Sequence, residues 1–175
     1  HMGFVTIGIF TLTQDGMNGA YFQMISHGIV SAALFLIVGV VYERHHTRFI
    51  ADYSGVNNIM PKYSFFFMIF MLSSVGLPGT SGFVGEFLVI MSTIGVSIYL
   101  TIFTAIGVVL GASYMLLLYK NVNFGEVKSD IKMLSDLNFI ELFYFTCLAV
   151  LTVLLGVYPK LLFKMIDQSI SMSIL

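Results

Sequence analysis

From Lys62 to Val96 the chain runs for 35 residues and carries, between those ends, a single charge, Glu86. As one helix this segment would be about 52 Å long, against a hydrocarbon core of about 30 Å. It is too apolar to leave a bilayer and too long to cross one unbroken. The interruption is written as Gly76-Leu77-Pro78-Gly79-Thr80-Ser81-Gly82, where Pro78 removes a backbone donor and Gly76, Gly79 and Gly82 free the backbone around it. Lipid cannot satisfy the polar groups that such a break releases, so the break must face protein or a water-filled cavity.

The rest of the chain agrees with a membrane protein. Of its 175 residues 58% are apolar and 10% charged, where a soluble domain has roughly 45–50% and about 25%. Apolar stretches cover 1–12, 17–42, 62–96, 98–120 and 138–158. These predict an all-α, polytopic transmembrane bundle over 1–158 in which the first segment is partial. The chain opens on His1-Met2 in mid-pattern, which reads as the C-terminal piece of a longer protein. A formal charge of −1 gives neither the basic footprint of a nucleic-acid-binding protein nor a polybasic lipid sensor. The lone Cys147 allows no disulfide or thiolate metal site within the chain and reads as a small buried hydrophobe.

Arg44 and Arg48 in the loop before Pro61, and Lys120, Lys128 and Lys132 in the loop before Asn138, place both connections on the cytoplasmic side. The turns near 13–18 and 95–97 carry no Lys or Arg and belong to the opposite side. Residues 159–175 alternate at helical spacing, with Lys160, Lys164, Asp167, Gln168 and Ser171 against Leu162, Met165, Ile166, Ile170 and Ile174. This predicts an amphipathic interfacial helix after Pro159, although its two lysines sit on the side the charge rule disfavours.

Glu86 is the one charged residue set well inside an apolar span, at a cost of at least about 2.5–3.5 kcal/mol if ionised. It reads either as a proton-exchanging carboxyl or as a neutral acid bonded to backbone freed by the break. His27, in Ser26-His27-Gly28 with Ser31 on the same face, is the second candidate because imidazole can accept and donate near neutral pH. His1 is in the same position at the chain's start. Tyr21, Gln23, Thr80, Ser81, Ser92 and Thr93 are weaker candidates for water-linked proton transfer. No phosphate loop, CxxC, HExxH or Ser/His/Asp set is present, so neither a redox cofactor nor bond-breaking chemistry is indicated in this chain.

Taken together, His1-Met2-Gly3-Phe4, Ser26-His27-Gly28, Tyr42-Glu43-Arg44 with His46-Thr47-Arg48, and the break continued through Phe83-Val84-Gly85-Glu86-Phe87 closely resemble subunit M of the proton-pumping NADH-quinone oxidoreductase, respiratory complex I. Its mitochondrial counterpart is chain 4, and it belongs to the antiporter-like subunits. The resemblance covers nearly the whole chain. It implies the second of two inverted repeats with its discontinuous helix, then a last span and an amphipathic C-terminal helix. It also implies a multi-pass location in the bacterial inner membrane or an equivalent energy-coupling membrane. Glu86 would be the terminal proton-exchange residue, with His1 and His27 on the central hydrophilic axis. NAD, FMN, iron–sulfur clusters and quinone would be held by other subunits, and neighbouring membrane-arm subunits would be the partners. Related antiporter-like subunits usually carry Lys at the position of Glu86, so Glu favours this subunit over a cation/proton antiporter or membrane-bound hydrogenase subunit of the same fold. A purely structural membrane subunit is the third reading. The first repeat of the family pattern, with its Glu/Lys pair and central lysines, is not contained in the chain.

Overall fold

A computed structural model describes residues 1–131 and 134–164. Its helices are α1 (Met2–Phe10), α2 (Gln14–His45), α3 (Val56–Ile59), α4 (Pro61–Val75), α5 (Ser81–Ile94), α6 (Ile98–Asn123) and α7 (Phe139–Val157), with no strand among the described residues. Helices α2, α6 and α7, of 32, 26 and 19 residues, are long and apolar enough to cross a membrane. The 35-residue segment is divided into α4 and α5, of 15 and 14 residues.

Local chemistry sets the ends. Thr13 Oγ1 accepts from Gly16 N–H at 3.1 Å and Asp15 lies in the first turn, so α2 starts on a capped and charge-matched turn. It stops at His46, which takes a left-handed conformation (φ 55°) and donates its N–H to Tyr42 O. Arg48 then folds back over the Tyr42 ring at 4.6 Å.

The two basic connections meet at one end of the bundle. Gly55 N–H donates to Phe124 O at 3.2 Å, and the Lys128 ammonium reaches Ala51 O. Arg44 ties the same end together through Ser135 O at 2.8 Å, Asp136 O at 3.3 Å and Glu141 Oε2 at 2.7 Å. Asp136 in turn caps α4 from a distant part of the chain, its carboxylate accepting from Lys62 N–H at 3.1 Å and Tyr63 N–H at 3.2 Å. Because α2 and α6 both run into this end, the turns at 11–13 and 95–97 lie at the other. The loop charges therefore segregate as the sequence predicts.

The core differs between the two halves. Towards the basic end, Ala33, Ile37 and Val40 of α2 surround Phe66, Phe67 and Phe70 of α4 and Phe145 of α7, with Phe66 stacked on Phe145 at 5.7 Å between centroids. Beyond the break, backbones approach through small residues instead, the membrane mode of packing. A Cβ on Gly19 of α2 would sit 2.9 Å from Leu88 Cβ of α5, and one on Gly8 of α1 would sit 2.6 Å from Gly16 O.

Cys147 is exposed on α7 and is not the buried hydrophobe the apolar run suggests. Phe145 and Ala149 hold the inward stripe of α7, and a residue two positions from either points about 200° away from it. After α7, residues 160–164 are helical with Lys160 and Lys164 exposed, and Phe163 rests on Phe22 of α2 at 5.3 Å. The remainder of the amphipathic tail, 165–175, lies outside the described residues.

The Arg44 tie yields a test. Arg44→Met leaves Glu141 largely buried without its cation and should destabilise the subunit by about 1.5–3 kcal/mol, seen as a lower Tm of the solubilised assembly. Arg44→Met combined with Glu141→Gln should recover part of the loss; a Tm unchanged in Arg44→Met would mean the tie contributes nothing.

Candidate functional site: a buried carboxyl beside the helix break

The break closes its own backbone bonds. Gly76 takes the left-handed conformation (φ 80°), Gly76 N–H donates to Ser73 O at 3.2 Å, and Leu77 N–H reaches back to Leu72 O at 3.0 Å. This is the Schellman arrangement, which needs glycine at the left-handed position. A tight turn follows at once, with Pro78 in its second position, Gly79 (φ 93°) in its third, and Thr80 N–H donating to Leu77 O at 3.1 Å. Thr80 Oγ1 adds a second bond to Leu77 O at 2.7 Å. Two further glycines let other backbones close on the break. A Cβ on Gly82 would run into Ser73 O, and one on Gly156 of α7 would run into the Gly79–Thr80 peptide.

Glu86 lies in the second turn of α5 and is 5% exposed. Its Oε1 is 2.8 Å from His1 Nδ1 and accepts from Gln23 Nε2 at 3.3 Å. Its Oε2 lies over Gly76, where a Cβ would come within 2.9 Å. The glycine that ends α4 thus also clears the space for the carboxyl. His1 Nε2 lies 3.1 Å from Ser74 Oγ, and the His1 ring stands 5.3 Å from the His27 ring between centroids. Four helices contribute to the group: His1 precedes α1, Gln23 and His27 are on α2, Ser74 is on α4 and Glu86 is on α5.

Two cavities flank His1. One of about 390 Å³ is lined by Glu86, Ser74, Thr104, Gly107 and Tyr114 as well as His1. The other, of about 180 Å³, is lined by His27, Ser31, Gln23, Ser73 and again His1, Ser74 and Tyr114. His1 therefore stands between a space that reaches Glu86 and a space that reaches His27. Both its ring nitrogens have partners, so a proton received at one can be passed from the other.

The three sequence-predicted titratable residues, Glu86, His1 and His27, come together, as do Gly76, Pro78, Gly79 and Gly82 at the break. Of the weaker candidates Gln23 joins the site. Ser81 Oγ accepts from Ser26 Oγ at 2.8 Å and joins α5 to α2. Ser92 and Thr93 bond back to Val89 O and Ile90 O, and Tyr21 is 40% exposed. Sequence reasoning missed Ser74, Tyr114, Gly85 and Gly156. Ser74 could have been found from its place in the last turn before the break; Tyr114 lies in a helix too evenly apolar to single out one face.

The site joins a discontinuous membrane helix, a buried carboxyl and two histidines, the features expected of the antiporter-like class of membrane subunits. The sequence profile of that class, described as NADH:quinone oxidoreductase/Mrp antiporter, matches residues 1–113, and the chain belongs to this family. Over 172 residues it is 51% identical to NADH-quinone oxidoreductase subunit M of Rhodobacter capsulatus, covering 98% of this chain and 34% of the relative. It is 44% identical to NADH-ubiquinone oxidoreductase chain 4 of Arabidopsis thaliana, covering 98% of this chain and 35% of the relative. The chain thus spans about a third of the length of these curated relatives. Among solved structures, a chain of respiratory complex I from Thermus thermophilus with bound NADH superposes with a TM-score of 0.84 at 34% identity, covering 91% of this chain and 33% of that one. The Mrp complex from Dietzia sp. DQ12-45-1b matches at 0.81 and 20% identity over 91% of this chain and 38% of that one, a likeness of fold.

Gly76→Ala forces a Cβ into a left-handed position at about 1–2 kcal/mol and presses it on the Glu86 carboxyl. Activity of the assembled protein should fall further than its abundance in the membrane, whereas Gly95→Ala, at a helix end with ordinary backbone angles and open space, should change neither. Equal behaviour of the two variants would remove the break from the site.

Proposed function

We propose that the chain is part of a proton-translocating membrane-arm subunit of an NADH-quinone oxidoreductase, with Glu86 as the proton-exchanging group and His1 and His27 as its relay. The observation that carries this reading is the part-buried Glu86–His1 contact of 2.8 Å, flanked by two cavities. Burial makes a lone carboxylate costly, and donors from His1 and Gln23 offset that cost. Moving one charge against 100 mV needs about 2.3 kcal/mol, so the work comes from electron transfer elsewhere in the complex. NAD, flavin, iron–sulfur clusters and quinone are assigned to other subunits, and this chain's residues only hold and pass protons. Its partners on this reading are neighbouring antiporter-like subunits in a bacterial or equivalent energy-coupling membrane.

A second reading, a subunit of another membrane complex of this fold, draws on the membrane-bound sulfane sulfur reductase, whose chain matches with a TM-score of 0.84 at 28% identity over 90% of this chain and 26% of that one. The higher identity to the subunit M and chain 4 sequences, and Glu rather than Lys at position 86, favour the first.

In the full-length subunit within its assembled complex, Glu86→Gln should lower NADH-driven proton uptake into vesicles and the coupled quinone reduction by roughly a hundredfold, the low side of what losing a proton-transfer group costs. Unchanged uptake at wild-type assembly would refute the proton-exchange role.

A further inference from the structure

Gln23 is 2% exposed and stands one helical turn before His27 on α2. Its Nε2 is the only amide nitrogen of a side chain among the described residues that is bonded to the Glu86 carboxyl, 3.3 Å from Oε1, and it lies 3.5 Å from His1 Nδ1. Its orientation follows from chemistry, since a carboxylate oxygen accepts only and the nitrogen is the end of the amide that donates. The other end, Oε1, is buried without a hydrogen-bond partner among the described residues. A side chain placed for general packing would not bury an unpaired acceptor in order to aim its donor at this pair.

What holds the amide there is a missing side chain on α5. A Cβ on Gly85 would fall 2.5 Å from Gln23 Oε1 and 2.9 Å from both Gln23 Cα and Cβ. Glycine immediately before Glu86 is therefore the seat on which Gln23 rests.

We propose that Gln23, seated on Gly85, is a positioning residue that holds Glu86 in its ionised form against His1, an inference that rests on the proton-exchange reading of Glu86. When Glu86 is ionised, Gln23 and the His1 Nδ1–H both donate to Oε1. When Glu86 takes up the proton of His1 Nδ1, that charge-assisted bond is lost and the amide is left facing a neutral carboxyl. The amide thus biases the pair towards the carboxylate. The groups facing Glu86 that can themselves titrate are His1 before α1, His27 behind it on α2, and Tyr114 of α6 across the shared cavity; α4 presents Ser73 and Ser74, and the buried face of α7 near the break presents Thr152 and Leu155.

The test is an infrared pH titration of the Glu86 carboxyl in the intact complex, with its band assigned by loss in Glu86→Gln. Gln23→Met keeps the shape and removes the donor, and it should move the midpoint upward by about one unit, as expected for loss of one charge-assisted hydrogen bond. Gly85→Ala should move it in the same direction by displacing the amide, and the double variant should go no further than the larger single shift. An unmoved midpoint in assembled Gln23→Met overturns the inference. Gly85→Ala removes no polar group and only displaces the amide, and it decides the matter by the same criterion where Gln23→Met does not assemble. Because the readout is the carboxyl itself, a shifted midpoint with normal pumping in Glu86→Gln would sink the proton-exchange reading while leaving the positioning role intact.

Discussion

A carboxyl cannot be left alone in hydrocarbon, and the arrangement beyond the break is organised by that constraint. Glu86 needs donors for one carboxyl oxygen and room for the other. His1 and Gln23 supply the donors, and Gly76 supplies the room because its missing side chain leaves space for Oε2. One role for Glu86 would be to serve the break itself, as a partner for backbone groups set free. It does not, because the Leu72, Ser73 and Leu77 carbonyls and the Gly76, Leu77 and Thr80 amides are bonded among themselves. The hydrogen bonds of Glu86 run instead to the side chains of His1 and Gln23, so the acid does not serve as a helix cap.

The two halves of the bundle divide the labour. At the basic end, stacked aromatics and the Arg44–Glu141 ion pair, with Asp136 capping α4, hold three helices in fixed relation. Beyond the break, glycines and serines bring α1, α2 and α5 into close contact, and cavities remain beside α6. Aromatic packing at one end fixes where the break sits; at the other, the close helix contacts leave cavities beside Glu86 and His1.

The break was legible in the sequence because it combined a length that no single span tolerates with proline and glycine at its centre. Glu86 was legible for an equally direct reason, its isolation from every other charge. His27 announced itself by residue type, and the segregation of loop lysines and arginines gave the relative directions of the helices. Less visible were contacts that depend on how far-apart helices meet. Gly156 lies in an even apolar helix, and only the fold shows the break pressing on it. Gly85 reads as one more small residue until Gln23 is found above it. Cys147 was misjudged because an apolar run in a membrane has no polar face to reveal which side points inward. The amphipathic tail was legible as a pattern, and its structure beyond 164 is not among the described residues.

The central claim is that Glu86 and His1 act as one proton-exchanging unit and not as two independent groups. A double-mutant cycle measures this most directly, with NADH-driven proton uptake recorded for Glu86→Gln, His1→Gln and the pair in the intact complex at matched assembly. The account predicts strong non-additivity, with the double variant little worse than the poorer single one. Losses that multiply independently would contradict it, and would place the two residues on separate paths despite their contact.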